Sequence, residues 1–182
     1  MIEFVNVSKK YLTRAHSFII QNPSIFCLIG PNASGKTTIL KMLCGLKKPS
    51  QGEINRHGLT LAYTSDNPSF PNDLNGYHYL KNLCKARKVP YDASLANAFN
   101  LDLFQKIAAL SKGSKQKLAI ITTLLSDKDI YVFDEPFNAL DRRSSIHFVK
   151  LLKQYKAQNK TLILSTHSFK YLKKVVDYWY QL

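Results

Sequence analysis

Residues Gly30 to Thr37 read G-P-N-A-S-G-K-T and fit the pattern GxxxxGK[ST]. The residue types state the chemistry. Gly30 and Gly35 let the backbone curl through Pro31, Asn32, Ala33 and Ser34, so that main-chain N–H groups turn inward toward phosphate oxygens. A helix opening near Lys36 adds the positive end of its dipole. Lys36 reaches the outer phosphates, the Thr37 hydroxyl suits a Mg²⁺ ion, and Thr38 continues the same turn. A second group of reactive residues is the pair Asp134-Glu135, which follows the apolar run Ile130 to Phe133 and is closed by Pro136. Asp134 sits where a carboxylate supports Mg²⁺ through water. Glu135, one step further, can accept a proton from an attacking water. A third group is Ser165-Thr166-His167, at the end of the apolar run 161–165.

These groups must be positioned by the elements around them. Residues 24–29 are almost continuously apolar, as a strand buried on both faces should be, and they feed straight into the glycine turn. Further strands are expected at 2–7, 17–20, 59–64, 129–134 and 161–165, with an alternating edge strand in the closing DYWYQL. Helical spacing marks 37–46, 77–88, 93–101, 114–126 and 142–157. Asp92 is the expected cap of the third of these, and Ser168 of a last helix at 169–176. KKPSQG reads as a loop. The fold class is therefore α/β: a mainly parallel sheet with an antiparallel β edge, all in one domain over 1–182. The core covers 1–66 and 110–182, and a small helical lobe is inserted at about 67–109, where Pro68, Pro71 and Asn75-Gly76 break the pattern. The strands ending at 29, 134 and 165 deliver all three reactive groups to one sheet edge, the carboxyl-end edge where such sheets bind ligands.

Composition removes several classes. Of the 182 residues, 45% are apolar, which excludes general disorder, and no apolar stretch approaches the ~20 residues of a membrane-spanning helix. Cys27, Cys44 and Cys84 are scattered without a CxxC pair, against a disulfide or cysteine-zinc scaffold and in favour of a reducing compartment. The net charge is +14, which attracts nucleotides, nucleic acids or anionic lipid. Most lysines, such as Lys150, Lys153 and Lys156 opposite an apolar stripe, read as a solvated face. No aromatic stacking motif accompanies the charge, so no specific nucleic acid is expected. Five of twelve acids fall between Asp127 and Asp141, a concentration suited to holding a cation in an otherwise basic chain. The predominance of lysine over arginine and the abundant asparagine suggest a bacterial source.

Taken in order, the motifs resemble those of the ATP-binding cassette (ABC) subunits of the P-loop NTPases. GPNASGKTT is followed by GLKKPSQGEI (Gly45 to Ile54). LSKGSKQKL (Leu110 to Leu118) is similar to the family signature, DEPFNALD (Asp134 to Asp141) to its metal strand and following loop, and STH to its switch histidine. The resemblance spans nearly the whole chain. It implies two subunits, as a homodimer or heterodimer, packed head to tail around two ATP molecules with Mg²⁺. Each nucleotide would lie between Gly30–Thr38 of one subunit and Ser111, Lys112, Gly113 and Ser114 of the other. Glu135 would polarise the water, His167 would contact the γ-phosphate, Asp141 would link the two sites and Tyr11 would stack on adenine. It further implies a transmembrane permease, docked on the helical lobe, and a cytoplasmic location on the inner face of the membrane.

The sequence departs from the family pattern in three places. Asp66 stands where a glutamine is usual, and is a hard ligand for Mg²⁺ that brings added negative charge. Lys112 and Ser114 replace glycine and glutamine in the signature. The chain stops after DYWYQL, which reads as a minimal cassette. Alternative readings are a soluble ABC ATPase outside transport, and a degenerate subunit that binds ATP with weak hydrolysis.

Overall fold

The computed structural model describes residues 1–10, 12 and 14–182. In chain order the elements are β1 (Ile2–Ser8), β2 (His16–Ile20), β3 (Ile25–Ile29), α1 (Lys36–Leu43), β4 (Gln51–Asn55), β5 (Leu61–Thr64), α2 (Gly76–Arg87), α3 (Ala93–Ala98), a 3₁₀ turn (Ile107–Ala109), α4 (Lys112–Leu124), β6 (Ile130–Phe133), α5 (Arg142–Ala157), β7 (Thr161–Thr166) and β8 (Tyr178–Gln181). Strands β5-β6-β7-β3-β8 form a sheet in which every pairing is parallel. Strands β2-β1-β4 form a separate antiparallel sheet rather than an edge of the first.

The central strands bury both faces, and their two-residue period sorts side chains between two cores. Ile25, Cys27, Tyr131, Phe133, Leu162 and Leu164 join α4, α5 and the helices of 76–98 in one apolar cluster. Phe26, Leu28, Ile130, Val132 and Ile163 face α1 and the antiparallel sheet in the other. Phe18 bridges the two sheets: its ring stacks on Phe4 at 4.2 Å and on Phe26 at 5.6 Å between centroids.

Local rules explain most boundaries. The α1 helix ends at Cys44 because Gly45 takes φ +74°, the left-handed turn that stops a helix. Asn75 and Asp92 cap α2 and α3 by accepting the N–H groups of His78 and Ser94, each at 2.8 Å. Two expectations fail. Residues 169–176 form turns, not a helix: Leu172 and Val175 donate three residues back, to Phe169 and Leu172. The segment carries β-branched Val175 and Val176, anchors Leu172 with no exposure, and must deliver Asp177 to the N–H of Ile25 at 2.7 Å so that β8 starts beside β3. The loop expected at 47–52 ends early, because Gln51 already pairs with Ser8 to open β4. That strand is polar and mostly exposed, so its pairing with β1 and not its pattern defines it.

Candidate functional site

The glycine turn leaves β3 and enters α1 as the sequence dictates. Ala33 has φ +63° and Gly35 φ +100°, and Gly35 is the residue preceding the first turn of α1. At φ +100° the conformation requires glycine, whereas a Cβ there would meet only the movable end of Leu12, Cδ2 at 2.4 Å. Lys36 is buried, and its ammonium donates to the carbonyls of Gly30 (2.8 Å) and Pro31 (2.9 Å). It also pairs with Glu135 Oε1 at 3.0 Å. The other oxygen of that carboxylate, Oε2, lies 3.2 Å from His167 Nδ1. The first residue of α1 and residues just beyond the ends of β6 and β7 thus form one continuous polar chain.

Asp134 lies fully buried beneath this chain. Ser165 Oγ donates to its Oδ1 at 2.6 Å, Tyr63 OH donates to Oδ2 at 3.2 Å, and the Thr37 hydroxyl also bonds to it. Burial pushes the Asp134 carboxyl above the usual carboxylate range, the negative charge of Asp66 adds to the rise, and the three hydroxyl bonds oppose it. Ser165 has a second task, accepting the N–H of Glu135 at 2.8 Å. That bond steadies Glu135 in a left-handed backbone, φ +45°, which aims its side chain back over the glycine turn.

A cavity of about 430 Å³ opens above these groups, lined by Asn32 through Thr38 together with Leu12, Asp66, Glu135 and Asn138. Asn32, Ala33, Ser34, Gly35, Lys36, Thr37, Thr38, Asp66 and Glu135 come together as expected. Gly30 and Pro31 stand behind the cavity as carbonyl acceptors for Lys36. Tyr11 lies outside the described residues. Tyr63, Leu12 and Asn138 were missed as site residues. Ser165 was marked as part of S-T-H but not as the partner of Asp134 and Glu135, and nothing in the sequence marks Tyr63 as the partner of Asp134.

Ser111 caps α4, accepting the N–H of Ser114 at 3.1 Å and donating to its hydroxyl at 3.0 Å. The helix therefore begins at Lys112, two residues before the expected start. Gly113 packs so tightly against the loop after β6 that a Cβ would meet the Ala139 carbonyl at 2.8 Å. Lys112 projects into solvent. Asp141 caps α5 through the N–H and hydroxyl of Ser144, at 2.8 and 2.9 Å, and pairs with Lys117 of α4 at 2.9 Å. The Lys117 ammonium and the Ser144 N–H hold the Asp141 carboxyl well below the usual range.

The donor set fits a nucleotide with a hard divalent cation: inward N–H groups and an ammonium for phosphate oxygens, and a hydroxyl with a carboxylate for the metal. Among the described residues no three His, Cys, Asp or Glu side chains converge to hold a metal. Asp66 lines the cavity beside Thr37, where a carboxylate can face the ion that Thr37 and Asp134 would hold. Among the described residues no helix is long and apolar enough to cross a membrane.

Comparison with known proteins agrees with this geometry. The family model described as "ABC transporter" matches residues 13–138. The zinc import ATP-binding protein ZnuC of Rickettsia bellii is 35% identical over 162 residues, covering 84% of this chain and 69% of that protein. The cytochrome c biogenesis ATP-binding export protein CcmA of Reclinomonas americana is 32% identical over 184 residues, covering 92% and 83%. A solved ATP-binding subunit of an ABC transporter superposes with a TM-score of 0.86 at 26% identity, covering all of this chain and 85% of that one. In motif order, in fold and in sequence, this chain belongs to the ABC transporter family, among its ATP-binding and ATP-hydrolysing subunits.

Proposed function

We propose that Glu135, His167 and Lys36 carry out ATP hydrolysis in this chain, and that closure and hydrolysis drive a transmembrane permease. The observation that carries the reading is the continuous chain Lys36–Glu135–His167, assembled beside the phosphate turn from the start of α1 and the ends of β6 and β7. When bound, ATP supplies the phosphoryl group and Mg²⁺ neutralises its charge, held by Thr37 and Asp134. Gly30 to Thr38 would wrap the phosphates, and the Lys36 ammonium would move its ion pairing from the Glu135 carboxylate to phosphate oxygens. That transfer frees Glu135 to take a proton from water, with His167 Nδ1 steadying its other oxygen. Asp66, at the cavity edge, tunes the field on Asp134.

No residue of 110–118 lines the cavity of its own chain. This supports a head-to-tail pair in which Ser111, Gly113 and Ser114 of a second subunit complete it, with the exposed α4 N-terminus aimed at phosphate. Residues 67–109 form the lobe that receives the permease, which holds the subunit on the inner face of the membrane. The transport-subunit names of the relatives support this partner.

ATP retention and phosphate release measured on purified chains test the reading. Lys36→Ala is expected to lose retained nucleotide. Glu135→Gln is expected to keep nucleotide while its turnover falls by about 10²–10⁴-fold, the usual worth of a general base. Unchanged turnover in Glu135→Gln rejects the catalytic assignment.

A further inference from the structure

A second cavity lies away from the phosphate site and is larger than it. It holds about 550 Å³ between α3 and the first half of α5, and Arg142, Arg143, Ile146, His147 and Lys150 line it with Ala98 opposite. It shares no residue with the phosphate cavity. The positions 142, 143, 146, 147 and 150 recur at three- and four-residue steps, so they make one stripe along a helix face. Among the described residues no acidic side chain lines it. Arg142, Arg143 and Lys150 have no ion pair or hydrogen bond among the described residues, unlike Lys117, Lys156 and Lys160, each of which is paired with an aspartate.

Helix stability argues against this arrangement. Two arginines occupy the first turn of α5, where the dipole is positive and where acids would be favoured. Lys150 adds a third cation two turns later. His147 stands among them with its ring edge on Phe99 at 5.1 Å, and its buried Nε2 has no partner. Burial, and then the charge of Lys150, hold its imidazole below the ordinary range. The cavity therefore concentrates positive charge without an internal counter-charge, and an anion is what would offset it.

We infer that this cavity is a second anion-binding site, separate from the nucleotide site, for a small ligand bearing two or more phosphate-type charges. The length of the stripe decides for more than one such charge. From Arg142 to Lys150 is eight residues, about 12 Å of helix, longer than a single phosphate spans. Arginine guanidinium forks suit phosphate oxygens in pairs, and Ile146 and Ala98 offer apolar walls for the body of the ligand. The site adjoins Asp141, which caps α5 and ties it to α4, so a bound anion would bear on the helix that carries the signature serine.

Calorimetric titration of inorganic pyrophosphate into the full chain saturated with ADP and Mg²⁺ tests the inference. Lys36→Ala serves as a second background that disables the phosphate turn. The expected result is pyrophosphate binding that survives in Lys36→Ala and weakens at least tenfold in Arg143→Ala/Lys150→Ala. Both changes place a good helix former at a solvent-facing position, and circular dichroism of the double variant verifies its fold. Two results overturn the site: pyrophosphate binding abolished in Lys36→Ala, or unchanged affinity in the double variant. Vesicles of phosphatidylglycerol form a separate arm. Capture by vesicles without pyrophosphate binding overturns the soluble-ligand site in favour of a membrane-facing patch.

Discussion

Asp134 and Glu135 are neighbours in sequence but occupy different physical environments. Asp134 is sealed under the sheet edge and survives there because three hydroxyls reach it. Glu135 faces the cavity, neutralised by Lys36. Ser165 serves both, donating to one carboxylate and accepting from the backbone of the other. Ser165→Ala should leave a buried carboxylate oxygen and a backbone N–H unpaired, at about 1–3 kcal/mol for each orphaned group. Chemical denaturation should show that loss, and turnover should fall with it because Glu135 is no longer pinned in its left-handed backbone. A variant as stable and as active as the parent would refute this double role.

Among the elements, α4 and α5 are coupled through one side chain. Asp141 caps α5 and grips Lys117 on α4, while Gly113 lets α4 press against Ala139. The loop from β6 to α5 is thus held against α4 by contacts within the chain. Asp141→Ala should cost about 1 kcal/mol, a typical cap loss, whereas Asp141→Asn should retain the cap and give up only the half-exposed ion pair, worth at most about 1 kcal/mol. The comparison of the two melting temperatures measures the cap separately from the charge. If Asn behaves like Ala, the capping account fails. At this scale the sequence was informative where a local rule operates. Asp92 capped the helix assigned to it, and α5 spans the residues its apolar stripe marked. It misled at 169–176, where the turn is imposed by the requirement to bring β8 beside β3.

Across the whole molecule, His16 joins the start of β2 to β8, with Nδ1 3.2 Å from Tyr180 OH. Burial, and next the charge of Arg14, hold its imidazole below the ordinary value near 6.5. The folded state therefore resists a proton that the unfolded chain accepts. Stability from this group is complete above about pH 6.5 and declines as the pH falls toward the lower folded value. His147 acts in the same sense. Urea midpoints should drop between about pH 7 and 5.5, and His16→Gln should flatten part of that slope. An identical slope in the variant would place the effect elsewhere.

The sequence alone determined the reactive set and the edge on which it lies. A glycine turn, an acid pair and a histidine each follow an apolar strand, and parallel strands point their carboxyl ends the same way. It also determined the α/β class, because periodicity and caps are local properties of the chain. Only the tertiary structure decided which oxygen of Glu135 meets Lys36 and which meets His167, that Tyr63 and Ser165 hold Asp134, and that the antiparallel strands form a sheet of their own. Those outcomes depend on contacts between residues far apart in the chain, such as Tyr63 with Asp134 and Lys36 with Glu135, and no local pattern encodes a partner at that separation. The same holds for the continuously apolar strands: composition shows that both faces are buried, but only packing shows which core each face joins.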